Sequence, residues 1–160
     1  MRKTLLSFIL ILFPMLASAD DSGSCGDGVT YYFDETKGML TISKTGEGTG
    51  KMTDYNWALN FPWTSFSNKI LIVIIEEGVT SIGSRTFFQC SGIASVTIPN
   101  SVTSIGTSAF NGCNGLISVA IPKGVTSIGG SAFLGCNNLT SITIPNYVTT
   151  IESFTFEVCI

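Results

Sequence analysis

Four cysteines, Cys90, Cys113, Cys136 and Cys159, recur at an interval of 23 residues. A thiol can bind metal, exchange disulfides or attack a carbon, and each use needs neighbours. Zinc sites place paired cysteines only two to four residues apart, and this chain has no such pair. The 160 residues contain no histidine, which excludes a Cys-His pair, a Ser-His-Asp triad and any His-ligated metal. A regular cysteine column reads more simply as a small residue turned inward. Disulfides between successive repeats remain open in an exported chain, because rungs roughly 4.8 Å apart lie inside the Cα range of a disulfide. With Cys25 the total is five, so at least one thiol stays unpaired within a monomer.

Paired carboxylates are the other candidate chemistry, since two converging acids can hydrolyse glycosides. The repeats hold Glu76, Glu77, Glu152 and Glu157, at opposite ends, and no pair converges. Asp20, Asp21, Asp27, Asp34 and Glu35 do not follow the spacing of a calcium loop and read as solvated charge. Gly46-Glu47-Gly48-Thr49-Gly50 lacks a following Lys-Ser/Thr, so it is not a phosphate-binding loop. Eight basic residues stand against eleven acidic ones, a net charge of −3, which excludes a binder that neutralises nucleic-acid phosphates. No catalytic residue, metal or cofactor is expected, and the chain reads as non-enzymatic. Asn138-Leu139-Thr140 fits an N-glycosylation acceptor.

The organisation of the chain must then carry the function. Arg2 and Lys3 precede an apolar run from Leu5 to Leu16, and Ala17-Ser18-Ala19 has small residues where a signal peptidase reads. Residues 1–19 are read as a secretory signal peptide, too short in its apolar part to span a membrane. No later run is long enough for a transmembrane helix, so the mature chain is expected to be secreted or at the cell surface. Asp20 follows the cleavage point, where a lipoprotein would need cysteine.

From Ile75 the chain repeats itself: IEEGVTSIGSRTFFQCSGIASVT, then IPNSVTSIGTSAFNGCNGLISVA, then IPKGVTSIGGSAFLGCNNLTSIT, then IPNYVTTIESFTFEVCI. Columns of Val (79, 102, 125, 148), Ile (82, 105, 128, 151) and Phe (87, 110, 133, 156) keep strict register. Leu139-Thr140-Ser141-Ile142-Thr143-Ile144 alternates in the period of a strand, and Pro145 ends it. Val148 and Ile151 sit on a second short inward stretch, and Ser131 to Cys136 reads as a tight helical or 3₁₀ turn carrying Phe133 inward. Each repeat is one coil, and stacked coils form a parallel sheet. A single coil cannot offset its own ordering entropy, so stability is collective. The expected fold is an α/β-type repeat solenoid, mostly β.

On the main sheet the columns Ile72, Ser95, Ser118 and Ser141, and Ile74, Thr97, Ala120 and Thr143, should face away from the core. These eight are the candidate ligand-binding residues. A second ladder, Thr80, Thr103, Thr126 and Thr149, invites comparison with ice- or crystal-binding faces, but β-branched threonine suits any solenoid strand.

The pattern IPxxVTSIGxxAFxGCxxLxSVx resembles the BspA-like leucine-rich repeats of bacterial and protist surface proteins, and the period lies in the leucine-rich range. The resemblance covers Ile70 to Cys159. It implies leucine-rich-repeat coils in a curved solenoid, with a role in adhesion to an extracellular or cell-surface protein or glycoprotein partner. The last repeat departs from the pattern at Glu152, Thr155 and Val158. Residues 20–69 lack the repeat. Val29–Asp34 and Met39–Ser43 read as two strands joined near Thr36-Lys37-Gly38, and with Trp57, Phe61, Pro62, Trp63 and Phe66 they form a small β-rich N-terminal cap. Residues 70–160 form the solenoid, with an incomplete last coil expected to fray. The alternative to adhesion is a structural or assembly unit that self-associates through this uncapped end.

Overall fold

A computed structural model describes residues 20–56 and 60–159. Residues 1–19, expected to be a signal peptide, Trp57 of the expected cap, and Ile160 lie outside the described residues. The described residues open with three antiparallel strands, β1 (Asp21–Gly26), β2 (Val29–Asp34) and β3 (Met39–Lys44). The expected hairpin is β2–β3. Strand β1 is additional: its sequence DSGSCG has one apolar side chain, Cys25, which is buried, so no alternating pattern announces it.

Strand β3 pairs in parallel with β4 (Ile72–Ile75), and from there β6 (Ser95–Thr97), β8 (Ser118–Ala120) and β10 (Ser141–Thr143) add one rung per coil. Among the described residues the long sheet has seven strands in the order β1-β2-β3-β4-β6-β8-β10. The N-terminal strands therefore begin the sheet. A second parallel sheet forms from the two-residue strands β5 (Ser81–Ile82), β7 (Ser104–Ile105), β9 (Ser127–Ile128) and β11 (Thr150–Ile151). Its lead-in comes from the glycine-rich loop: Lys51 bridges Ser81 in parallel, and the Thr80 N–H donates to the Gly50 carbonyl at 2.8 Å.

The third side of each coil differs from the expected helical turn. Arg85, Ser108, Ser131 and Phe154 all have φ between 55° and 60°. Gln89, Gly112, Gly135 and Val158 repeat the left-handed conformation four residues later, with φ from 56° to 75°. These kinks break any helix and send alternate N–H groups to the next coil. Phe87 N–H reaches the Ala109 carbonyl at 2.8 Å, Phe110 that of Ala132 at 2.8 Å and Phe133 that of Thr155 at 2.9 Å. Intervening groups close three-residue turns, such as Phe88 N–H to the Arg85 carbonyl at 3.2 Å. The inter-coil bonds give these buried N–H groups their partners. Among the described residues the 3₁₀ segment Thr64–Lys69 is the sole helical element.

The core is built from the repeat columns. Val79, Val102 and Val125, Ile82, Ile105 and Ile128, and Phe87, Phe110 and Phe133 are all buried. The phenylalanines stack at centroid distances of 5.1 Å and 5.3 Å, and Phe156 extends them at 5.6 Å. At the other end Trp63 stacks on Phe87 at 5.5 Å and its indole N–H donates to the Thr86 carbonyl at 3.0 Å. Trp63 thus begins the aromatic column. In the last described coil, whose apolar column residues are expected to be exposed, Ile151 on the edge strand β11 is 47% exposed; Val148 is partly buried.

The cysteine column is inward as expected. Cys90, Cys113 and Cys136 are buried, Cys159 is half-buried, and all five thiols are free. Cys113, Cys136 and Cys159 donate S–H to the Phe87, Phe110 and Phe133 carbonyls of the preceding coil, each at 3.2 Å. The N-terminal acids, expected to be merely solvated, are fasteners. Asp27 accepts from the Thr49 N–H and hydroxyl at 2.9 and 2.7 Å. Asp34 accepts from Lys37 Nζ and the Thr36 hydroxyl, each at 2.6 Å.

Candidate functional site

The long sheet presents the eight expected residues on one outer face. Ile72, Ser95, Ser118 and Ser141 stand in register across β4, β6, β8 and β10. Ile74 pairs with Thr97, and Ala120 with Thr143. Seven of the eight are exposed; Ile74 is half-buried. The alternate positions Val73 and Val119 are buried, whereas Val96 and Ile142 are partly so. The strand period therefore divides the sheet as expected.

Two residues were missed. Met39 is the Cα partner of Ile72, and Thr41 of Ile74, so β3 extends both columns by one rung. A sequence reading that follows the 23-residue repeat cannot find them, because β3 belongs to a hairpin outside it. The alternation Met39-Leu40-Thr41-Ile42 was the available signal. Beside the face, at the strand entrances, Leu71 is 48% and Ile117 56% exposed. The face thus grades from Met39, Leu71 and Ile72 at one end to Ser141 and Thr143 at the other.

None of these face residues is titratable. Charge stands at the margins: Lys69 pairs with Glu35, and Glu76 accepts from the Ser43 hydroxyl at 2.7 Å. The face offers hydroxyls and apolar groups rather than charge. Elsewhere burial pushes the Cys90 and Cys136 thiols up to about 12 and keeps them protonated. Among the described residues no three potential ligands group as a metal site, and no helix is long and apolar enough to cross a membrane.

The threonine ladder has a structural explanation. Thr103, Thr126 and Thr149 donate their hydroxyls to the Thr80, Thr103 and Thr126 carbonyls of the coil before, at 3.1, 3.3 and 3.2 Å. Thr80 does the same to the Thr49 carbonyl at 2.9 Å. The row ties coils together.

Residues 61–160 match the BspA type Leucine rich repeat region, in six copies. The chain belongs to the BspA-type leucine-rich repeat family. The six copies start at Phe61, so the stretch that includes Trp63 falls within the match, as its place in the aromatic column does.

Solved structures of leucine-rich repeat proteins share the fold. One from Eubacterium ventriosum is 27% identical, with a TM-score of 0.65, over 88% of this chain and 42% of that one. One from Bacteroides ovatus is 33% identical, with a TM-score of 0.56, over 58% of this chain and 24% of that one. The T. pallidum Leucine Rich Repeat protein is 22% identical, with a TM-score of 0.59, over 81% of this chain and 64% of its own length, and supports the fold alone. The chain thus spans less than half the length of the first two. No curated protein matches it.

Proposed function

We propose that this BspA-type chain is secreted or surface-exposed and serves as a non-catalytic adhesion module. It binds an extracellular protein or glycoprotein through the outer face of the long sheet. The supporting observation is the in-register, uncharged face that runs from Met39 and Thr41 through Ile72 and Thr97 to Ser141 and Thr143. Repeat scaffolds commonly bind partners on extended surfaces of this kind. The apolar end, with Leu71 and Ile117 beside it, supplies the contact area that gives an interface most of its energy.

The test is capture of matrix proteins and cell-surface extracts on the immobilised chain. Parallel samples carry Thr97→Lys with Thr143→Lys, or Ile72→Lys. Saturable capture that the lysine variants abolish, without loss of their cooperative melt, supports the reading. Capture unchanged by both variants refutes it.

A second reading is self-association through the last described coil. Tyr147, Phe154 and Val158 are 65%, 65% and 52% exposed there, beside Ile151. It predicts a concentration-dependent mass in sedimentation that Phe154→Asp removes. A mass that stays monomeric across the concentration range rejects it.

A further inference from the structure

The second sheet carries a trough. Ser81, Ser104 and Ser127 form one outward column in register across β5, β7 and β9. Two residues further along each coil the backbone is bare, because Gly83, Gly106 and Gly129 stand there. Ser84 and Thr107 follow and raise the opposite wall. The space between has a volume of about 370 Å³ and is open to solvent. Lys51 and Asp54 lie at one end and Glu152 at the other. Its long axis crosses three coils, so the serines repeat about every 4.8 Å.

The hydroxyls of this trough differ from those of the adjacent threonine ladder. Each ladder threonine spends its hydroxyl on a carbonyl of the preceding coil. Ser81, Ser84, Ser104 and Ser127 are half-buried, yet among the described residues no protein group bonds their hydroxyls. The two carboxylates are fixed by one oxygen each. Asp54 accepts from the Ser84 N–H at 2.5 Å, and Glu152 from the Gly130 N–H at 2.9 Å. Each keeps a second oxygen as an acceptor.

Such walls select a ligand class. Each serine hydroxyl can donate one hydrogen bond and accept two, and the carboxylates accept strongly. The apolar side chains at the floor, Met52, Ile82 and Ile105, are buried and leave no pocket for an apolar side chain of a peptide. A carboxylate at each end, against one lysine, disfavours phosphorylated, sulfated or uronic chains. What remains complementary is an elongated, uncharged molecule with many hydroxyls. We propose that the trough is a second binding site, for a neutral oligosaccharide lying along the solenoid axis across β5, β7 and β9. It is separate from the long-sheet face and does not depend on the adhesion reading.

The test is a titration of the isotope-labelled full chain with cellohexaose, chitohexaose and mannohexaose, followed by amide spectra. A heparin hexasaccharide serves as the anionic comparison. One neutral hexaose should shift the amides of Ser81, Gly83, Ser104, Gly106 and Ser127. Ser104→Tyr, which fills the middle of the trough, should weaken binding about tenfold or more, a change of about 1.4 kcal/mol or above. Asp54→Asn and Glu152→Gln keep an acceptor for the backbone N–H and should each weaken it several-fold. Thr97→Lys should leave it unchanged. Should Ser104→Tyr impair the melt, the double variant Ser81→Ala and Ser127→Ala replaces it, since it deletes only hydroxyls. The proposal fails if no neutral hexaose shifts these amides at about 5 mM. It also fails if the heparin fragment binds more tightly, or if trough substitutions in a folded chain leave binding intact.

Discussion

Single residues in this chain are held by what the neighbouring coil permits. Gly106 shows it best: a Cβ there would lie 2.5 Å from the Ser84 amide nitrogen and 2.8 Å from the Gly83 carbonyl carbon. Backbone cannot yield as a flexible side chain does. Gly106→Ala should therefore cost about 1–3 kcal/mol, the range for overpacking, read as a lower midpoint in denaturant. The thiols make a second residue-scale prediction. Cys113 is fully enclosed and its thiol is raised well above its ordinary range by burial. A thiol reagent at pH 8 should modify Cys159 first and leave Cys90, Cys113 and Cys136 unmodified until the chain unfolds. Fast modification of all five in the native chain would contradict that. Asp34 gives the pH dependence. The Lys37 ammonium, then the Thr36 hydroxyl, lower its carboxyl from 3.8 to about 2. Its ionised form is thus favoured in the fold, so it stabilises the β2–β3 turn above pH 4. That contribution fades as pH falls from about 4 towards 2, and Asp34→Asn should flatten the stability profile in that window.

At the scale of one element, the third side of each coil sets which substitutions are tolerated. The residue before each cysteine sits in the left-handed region, where glycine is at ease and a β-branched side chain is not. Gly112 and Gly135 obey this, whereas Val158 adopts φ 60°. Val158→Gly should relieve about 1–2 kcal/mol of local strain and slow hydrogen exchange in the last described coil. Unchanged exchange at Glu157 and Cys159 would show that the strain is not there. The same coil shows how a departure from the repeat is accommodated. Thr155 replaces alanine and is buried, but its hydroxyl donates to the Glu152 carbonyl at 2.7 Å. Thr86 in the first repeat does likewise to the Gly83 carbonyl at 2.7 Å. A buried hydroxyl is tolerated because it finds a partner.

For the whole molecule, stability runs along columns. Trp63, Phe87, Phe110, Phe133 and Phe156 form one continuous stack with interplanar angles between 8° and 18°. Each pair adds about 0.5–1.5 kcal/mol beyond its buried area. Phe110→Ala removes the middle of the stack and should cost about 3–5 kcal/mol. Repeats communicate only with their neighbours, so its effect should be directional. Amides of the Phe133 and Phe156 coils should exchange faster, while those of β2 and β3 keep their protection. Uniform loss of protection would mean that the N-terminal strands and the solenoid fold as one indivisible unit. In the unaltered chain the Phe156 amide should already exchange faster than that of Phe110, whose N–H is bonded to the Ala132 carbonyl at 2.8 Å.

The sequence alone determined the repeat, the rungs and which side of each strand faces in. Strict columns 23 residues apart can be satisfied only if identical side chains stack, and the alternation around Ser118 and Ser141 admits one choice of outer face. The buried thiols, too, followed from their place in the column. Other features were decided by tertiary structure, because they depend on contacts between segments with no shared pattern. Strand β1 exists because β2 offers it an edge. Met39 and Thr41 join the candidate face because β3 takes a parallel neighbour. The loop around Gly50 becomes a rung because Ser81 pairs with Lys51. The left-handed kinks before and after each phenylalanine serve hydrogen bonds to the following coil, and a local reading sees only a tight turn. The two kinds of hydroxyl column look alike as Ser-Thr sequence. One is consumed by carbonyls and the other lines an open trough, and only the stacking of one coil on the next separates them.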